Sequence, residues 1–97
     1  MPFTITWPPT ARLTYYQILD YSDEEWTFRE IENFIDGTEE ALTHICQNPL
    51  LYQYSEKSDT YRCVLVRQVS LFYHLRSERI ELLIFWDNRQ NPSKLIL

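Results

Sequence analysis

The sequence predicts an α+β domain with the element order β-α-α-β-β-β, in which a helical hairpin packs on one face of a small, largely antiparallel sheet. Two hydrophobic patterns lead to this prediction. Hydrophobic residues recur with helical spacing between residues 9 and 47, and they alternate with polar residues between residues 61 and 86. The 97 residues fit one domain spanning residues 1–97, since domains usually contain about 50 to 250 residues.

The composition excludes several classes of protein. Hydrophobic residues make up 44% of the chain and aromatic residues 15%, which suffices for a packed core and is too much for a disordered chain. The single glycine excludes collagen-like sequences and glycine-rich phosphate loops. No apolar run approaches the roughly 18 residues of a membrane span, and the first residues do not form a signal-peptide pattern. We therefore expect a cytoplasmic protein that does not associate with a membrane.

The cysteines and histidines predict neither a disulfide framework nor a metal site. Cys46 and Cys63 are too few for such a framework, and a reduced cysteine packs as a small apolar side chain. His44 and His74 each stand apart from other potential ligands. We expect no metal ion and no cofactor.

The first half of the chain predicts one strand and two helices. Phe3, Ile5 and Trp7 alternate with polar residues, which is typical of a short strand. Pro8-Pro9 ends that strand and suits the start of a helix, because proline has no amide hydrogen to leave unpaired. The helix that follows has one apolar face, made of Ala11, Tyr15, Ile18 and Leu19.

The second helix is predicted to begin at a capping box and to end before Asn48-Pro49. Ser22 and Glu25 have the spacing with which two side chains satisfy free backbone donors at a helix start. Gly37 lies inside this helix and is expected to weaken it by up to about 1 kcal/mol. Its apolar positions keep helical spacing to about residue 47: Phe28, Ile31, Phe34, Ile35, Leu42 and Ile45.

The second half predicts three strands after a loop at residues 48–60. The strands cover residues 61–66, 69–75 and 79–86, with turns at 67–68 and 77–78. Strict alternation in the last strand would put Ile80, Leu82, Ile84 and Trp86 on one face.

Charge divides the chain into two unlike halves. Residues 1–48 carry nine acidic side chains against two arginines, a net charge of −7, while residues 49–97 carry a net charge of +2. The acidic residues are interpreted as a solvated helix surface. The whole chain is a poor general binder of nucleic acid, because nonspecific phosphate binding requires accumulated positive charge. A locally basic face in the second half remains possible.

Taken in order, these features resemble the RelE/ParE superfamily of toxins from bacterial type II toxin–antitoxin systems. The resemblance covers almost the whole chain. Its landmarks are Trp7, Ala11-x-x-x-Tyr15, Trp26, Asn48-Pro49, Tyr61-Arg62, Phe72-Tyr73-His74-Leu75 and the ending Ile84-Phe85-Trp86-Asp87-Asn88-Arg89-Gln90-Asn91-Pro92.

This resemblance implies a partner and two classes of target. The partner is a cognate antitoxin that wraps around the toxin in a hetero-oligomer and prevents growth inhibition; such pairs include plasmid stabilization systems. ParE-like members poison DNA gyrase without being nucleases. RelE-like members enter the ribosomal A site and cleave messenger RNA without a metal ion.

The resemblance also implies candidate catalytic residues, which are Arg62, His74 and Arg89. RelE-like nucleases use lysines and arginines on the sheet and a tyrosine near the C-terminus. Arg62 and Arg89 match two of the basic positions, and the imidazole of His74 is a type of side chain that can act as a general acid or base. Arg62 could bind a phosphate or pair with a carboxylate from the acidic helices.

Three other positions depart from the nuclease pattern. Val64 and Ser70 stand where basic residues are expected, and Leu95 stands close to the expected tyrosine. We therefore interpret the chain as a toxin that binds a macromolecular target such as DNA gyrase without catalysis. The alternatives are a ribosome-dependent mRNA endoribonuclease that uses Arg62, His74 and Arg89, and a non-toxic interaction module on the same fold.

Overall fold

A computed structural model describes residues 3–97, apart from the side chains of Ser22 and Asp23. The described elements, in chain order, are β1 (Thr4–Thr6), α1 (Pro9–Glu25), α2 (Phe28–Gln47), β2 (Gln53–Ser55), β3 (Thr60–Val66), β4 (Val69–Arg76), β5 (Arg79–Asp87) and a 3₁₀ turn (Pro92–Lys94). No helix in this part of the chain has the length and apolar character needed to cross a membrane.

The five strands form one sheet in the order β1-β5-β4-β3-β2. β1 pairs with β5 in parallel, and the other neighbours are antiparallel. α1 packs over β5 and α2 over β3, so both helices cover the same face of the sheet. The predicted α+β class, the helical hairpin and the turns at 67–68 and 77–78 are confirmed.

The sheet has one strand more than the sequence predicts. β2 lies inside the predicted loop at 48–60, where Tyr54 pairs with Tyr61 and their rings are 4.8 Å apart. All three residues of β2 are exposed, so the strand has no alternation of buried and polar positions. Pairing with β3, which is a long-range contact, creates this strand.

The predicted start of the second helix is wrong. α1 continues through Glu25, and the capping box consists of Thr27 and Glu30. Thr27 Oγ1 accepts a hydrogen bond from the Glu30 amide at 3.2 Å, while Glu30 Oε1 accepts one from the Thr27 amide at 3.1 Å. Both segments have the Ser/Thr-x-x-Glu pattern, but the helix cap is at Thr27, whose backbone is extended, and Trp26 and Thr27 separate α1 from α2.

Phe85 is the centre of the aromatic core between the sheet and the helices. Its ring stacks on Trp7 with centroids 5.4 Å apart, and it meets Tyr15 at 5.0 Å and Phe34 at 6.5 Å. The Phe85 amide also donates to Thr14 Oγ1 at 3.0 Å, so α1 satisfies a backbone donor at the edge of β5.

A bulge in β5 changes which side chains share a face, and the strict alternation predicted for this strand is wrong. Phe72 pairs with Ile84, but Tyr73 pairs with Leu82, so Leu83 is an extra residue in β5. Ile80 and Leu82 therefore lie on the helix face together with Phe85. Ile84 and Trp86 lie on the opposite face, which is named the open face here.

Gly37 has a packing role that its helix propensity does not indicate. A Cβ atom built on Gly37 would lie 3.2 Å from the Leu65 carbonyl oxygen and 3.9 Å from a methyl group of Val66. The absence of a side chain thus lets α2 approach the backbone of β3 closely.

We expect Gly37→Leu to lower the free energy of unfolding by about 2 kcal/mol or more, because a larger side chain must push α2 away from β3. Urea denaturation measures this change. Thr43→Leu, at an exposed position of the same helix, is the control and should shift stability by less than about 0.5 kcal/mol. Equal effects of the two substitutions would show that the close approach does not constrain the fold.

Candidate functional site

Arg62 lies on the open face in a small polar network. Its Nε donates to Ser70 Oγ at 3.0 Å, and one Nη donates to Asn88 Oδ1 at 3.2 Å. Ser70 Oγ donates to the same Asn88 oxygen at 3.0 Å. The guanidinium carbon lies 6.0 Å from the centre of the Phe72 ring. The position of Arg62 therefore depends on three neighbouring strands. Arg62 lies in β3, Ser70 lies in β4, and Asn88 directly follows β5.

The partners of Arg62 are neutral, although the guanidinium is partly buried. The helices with their carboxylates lie across the sheet, and among the described residues no carboxylate forms an ion pair with Arg62. Partial burial weakens the screening of this positive charge by water. The open face thus carries the positively charged guanidinium of Arg62, which its hydrogen bonds hold in place and which can bind an anionic group.

His74 lies at the other end of the open face. Its Nδ1 is 2.7 Å from the Asp59 carbonyl oxygen. The Asp59 carboxylate accepts hydrogen bonds from the Tyr54 hydroxyl at 2.6 Å and from Arg76 at 2.8 Å. Those two bonds, with that of Tyr54 the larger cause, lower the pKa of the Asp59 carboxyl. His74 is therefore attached to the hairpin between β2 and β3.

Arg89 lies on the α1 side of the sheet, beside Asp87. Its Nε and one Nη donate to the two Asp87 oxygens at 3.0 and 2.8 Å, and its amide donates to Oδ1 at 2.9 Å. Its guanidinium carbon is 5.7 Å from the centre of the Tyr21 ring. The hydrogen bonds from Arg89 lower the pKa of the Asp87 carboxyl, and the same pair raises the pKa of Arg89.

A cavity of about 630 Å³ lies between α1 and the outer edge of β5, with Arg89 in its wall. This volume is within the usual range for ligand sites, which is roughly 300 to 1,000 Å³. The Trp26 indole nitrogen, in the same wall, is buried and has no hydrogen-bond partner in the described part of the chain. The cavity can enclose an apolar group that also carries a hydrogen-bond acceptor for the Trp26 indole N–H.

Each of the three candidate residues is held by a different set of partners. Arg62 reaches toward Ser70, which lies on the opposite side of Phe72 from His74 along β4. Arg89 reaches toward Tyr21 of α1 instead of the open face. Among the described residues, the three side chains form hydrogen bonds with different partners and not with one another.

Sequence reasoning did not identify Asn88, which holds both Arg62 and Ser70. Because side chains alternate along β3 and β4, residues 62 and 70 lie on one face, and the sequence could have predicted that they are neighbours. Asn88 lies beyond the strand pattern, and its position depends on where β5 ends. The cluster of Tyr54, Asp59 and Arg76 was missed for a different reason, because it depends on β2, a strand that the sequence does not predict.

The described residues contain no group of three or more His, Cys, Asp or Glu side chains that could hold a metal ion. Cys46 and Cys63 are free thiols. Burial raises the pKa of the Cys63 thiol to about 11, so this group is protonated at neutral pH and is a poor nucleophile.

Asn88→Asp should stabilise the fold by about 1 kcal/mol, because it supplies the charged partner that Arg62 lacks. Asn88→Ala should destabilise it by about 1 to 3 kcal/mol, because the buried Ser70 hydroxyl loses its acceptor. Chemical denaturation at neutral pH measures both changes. Asn33→Asp, the same substitution at an exposed helix position, is the control; an equal gain there would mean that the Arg62 charge is already compensated.

Arg89→Ala should raise the pKa of the Asp87 carboxyl toward its ordinary value, as measured by NMR titration. Because Arg89 lowers this pKa in the folded chain, its stabilising effect is complete above the unfolded-state pKa of about 3.9. That effect disappears as the pH falls through the folded-state value. The exposed Arg79, changed to Ala, should leave the Asp87 titration unchanged. An unshifted Asp87 in the Arg89 variant would rule out this ion pair in solution.

Comparison with known proteins gives a structural match. No protein-family model matches the chain, and no curated protein matches its sequence. A chain from the solved structure entitled "Chromosomal ParDE TA system from P. aeruginosa" matches with a TM-score of 0.71 and 15% identity, covering 88% of this chain and 95% of that one. At this identity the match concerns the fold. The RelE/ParE-like fold indicated by the sequence landmarks is thus confirmed.

Proposed function

We propose that this chain is the toxin of a type II toxin–antitoxin pair. In this proposal a cognate antitoxin neutralises it, and it stops growth by binding a macromolecular target, such as DNA gyrase, without catalysis. The fold similarity to a chain of a ParDE toxin–antitoxin structure supports the general class. Fold does not determine function, so the choice of mechanism depends on the candidate site.

The observation that carries the noncatalytic mechanism is that each candidate residue is held by its own partners. Cleavage of RNA by its own 2′-oxygen requires a proton acceptor, cations at the phosphate and a proton donor at the leaving oxygen, all within hydrogen-bonding reach of one phosphodiester. Here Asn88 and Ser70 hold Arg62, the Asp59 carbonyl holds His74, and Asp87 holds Arg89. An inhibitor that only binds its target needs a complementary surface and no such convergence.

The net charge of −5 supports the same choice. A ribosome-dependent nuclease must approach an RNA surface, and a net negative charge slows association with a polyanion. The described ion pairs also neutralise two of the arginines, Arg76 and Arg89. Outside these two pairs the chain has seven Lys and Arg side chains against twelve Asp and Glu, so negative charge still predominates.

One observation favours the alternative, an mRNA endoribonuclease. Arg62 has neutral partners and lies on the face of the sheet that the helices leave uncovered. Next to it in β3, Val64 exposes 58% of its surface. A phosphate could thus reach the guanidinium without breaking an ion pair.

The proposal predicts that the chain, expressed alone in a bacterium, stops growth while labelled methionine continues to enter protein. Plasmid DNA from these cells should lose negative supercoils, because gyrase is inhibited. Co-expression of the gene adjacent to the one for this chain should restore growth if it encodes the antitoxin. Reporter plasmids and pulse labelling provide these measurements.

Two other results would contradict this mechanism, each in its own way. An early collapse of protein synthesis with cuts in ribosome-bound mRNA would establish the nuclease, and Arg62→Ala should then abolish the cuts. Normal growth at full expression would indicate a non-toxic interaction module. Arg79→Ala is the matched control, since it removes an exposed arginine at a distance from Arg62.

A further inference from the structure

The cavity between α1 and β5 exists because β1 is short. β1 pairs only with residues 79–81 of β5, so within the described sheet no strand lies beside residues 82–87 on their outer side. α1 packs over β5 at this open edge, where Thr14 accepts the hydrogen bond of the Phe85 amide. The space that remains has a volume of about 630 Å³, which suits a small molecule.

Apolar side chains form most of the cavity wall, and four of them are aromatic. They are Ile18, Tyr21, Trp26, Ile84, Phe85 and Trp86. Tyr21 exposes 50% of its surface, so it lies where the cavity meets solvent. Aromatic rings pack favourably against other rings through edge or offset contacts. A flat aromatic ligand therefore suits this wall.

One hydrogen-bond donor in the wall lacks an acceptor. The Trp26 indole nitrogen is buried, and no described residue accepts its hydrogen bond. An indole nitrogen can only donate, and a buried donor without a partner costs free energy. A ligand that brings an acceptor into the cavity would remove this cost.

The charges around the cavity favour a neutral ligand. The cation of the described wall, Arg89, is already paired with both oxygens of Asp87. α1 ends at Glu25 with no basic residue in its last turn, so the negative end of the helix dipole lies beside the cavity. An anion would meet this negative end and the Asp87 carboxylate, whereas a cation would meet the Arg89 guanidinium.

We propose that the α1–β5 cavity binds a small, neutral aromatic molecule that carries a carbonyl group. The ring of this ligand would lie among the aromatic side chains of the wall, and its carbonyl oxygen would accept the hydrogen bond of the Trp26 indole. Because the indole nitrogen is buried in the wall, the Trp26 ring must rotate slightly for its N–H to reach that oxygen.

This inference goes beyond the proposed function and does not rest on it. The cavity lies on the α1 side of β5, whereas Arg62 lies on the open face. A gyrase inhibitor, a nuclease or a non-toxic module could each carry such a ligand site. Ligand binding is measured on the purified chain and toxicity in cells, so the failure of one would be distinguishable from the failure of the other.

The test is an NMR titration of the full ¹⁵N-labelled chain with benzamide, a soluble neutral aromatic amide. The indole N–H peak of Trp26, assigned by its loss in Trp26→Phe, should shift as the probe binds with a Kd of about 1 to 10 mM, which is usual for so small a ligand. Benzoate, an anion of the same size, should bind at least about fivefold more weakly, because like charges repel.

Two substitutions test the donor and the cavity separately. Trp26→Phe keeps a ring but removes the donor, and it should raise Kd by about three- to tenfold; the control Trp7→Phe, outside the cavity wall, should change Kd by less than about twofold. Gln17→Trp places a large ring at an exposed position of the wall and should abolish binding. Thr43→Trp, at an exposed position of α2, should leave binding unchanged.

Three results would each overturn the proposal. The first is a Trp26 indole peak that stays unshifted at the solubility limit of benzamide. The second is equal binding of benzamide and benzoate, which would show that the site does not select a neutral ligand. The third is equal binding by the Gln17→Trp and Thr43→Trp variants, which would place the probe outside the cavity.

Discussion

The position of Phe85 in the core depends on one extra residue in β5. With strict alternation from Ile80, Phe85 would face away from the helices. The bulge at Leu83 reverses the alternation, so the Phe85 ring meets Trp7, Tyr15 and Phe34. Because these three aromatic residues come from the segment after β1, from α1 and from α2, the packing of both helices on the sheet depends on this local irregularity.

The same irregularity shapes the open face. Once Phe85 points to the core, Ile84 and Trp86 lie on the open face, and Asn88 follows two residues later on that side. There its side chain reaches Ser70 and Arg62. Ser70 is completely buried, and a buried hydroxyl without a partner is costly. The network that positions Arg62 is thus also part of what stabilises the middle of the sheet.

The two faces of the domain have opposite electrostatic character. The helices present carboxylates that no described cation pairs with, whereas the open face presents a cation held by neutral groups. A surface charge without a partner adds little to the stability of a folded chain. It does impose selectivity, because it favours a partner of opposite sign and disfavours one of the same sign.

The sequence by itself determined the features that depend on neighbours a few residues apart. Helical spacing predicted both helices, alternation predicted four of the five strands, and the turns at 67–68 and 77–78 followed from the breaks between them. The landmarks in order also indicated the RelE/ParE-like fold. Each of these signals repeats along the chain, and one misplaced residue does not erase it.

Only the tertiary structure decided the rest, because the deciding contacts join distant segments. β2 exists through its pairing with β3, and the bulge at Leu83 exists because β4 and β5 must keep both Tyr73 and Phe85 in the core. Two Ser/Thr-x-x-Glu patterns competed to start α2, and the length of α1 selected the one at Thr27. The partners of Arg62, His74 and Arg89 are likewise remote in sequence or not predicted by alternation along a strand; they are Asn88, the Asp59 carbonyl and Tyr21.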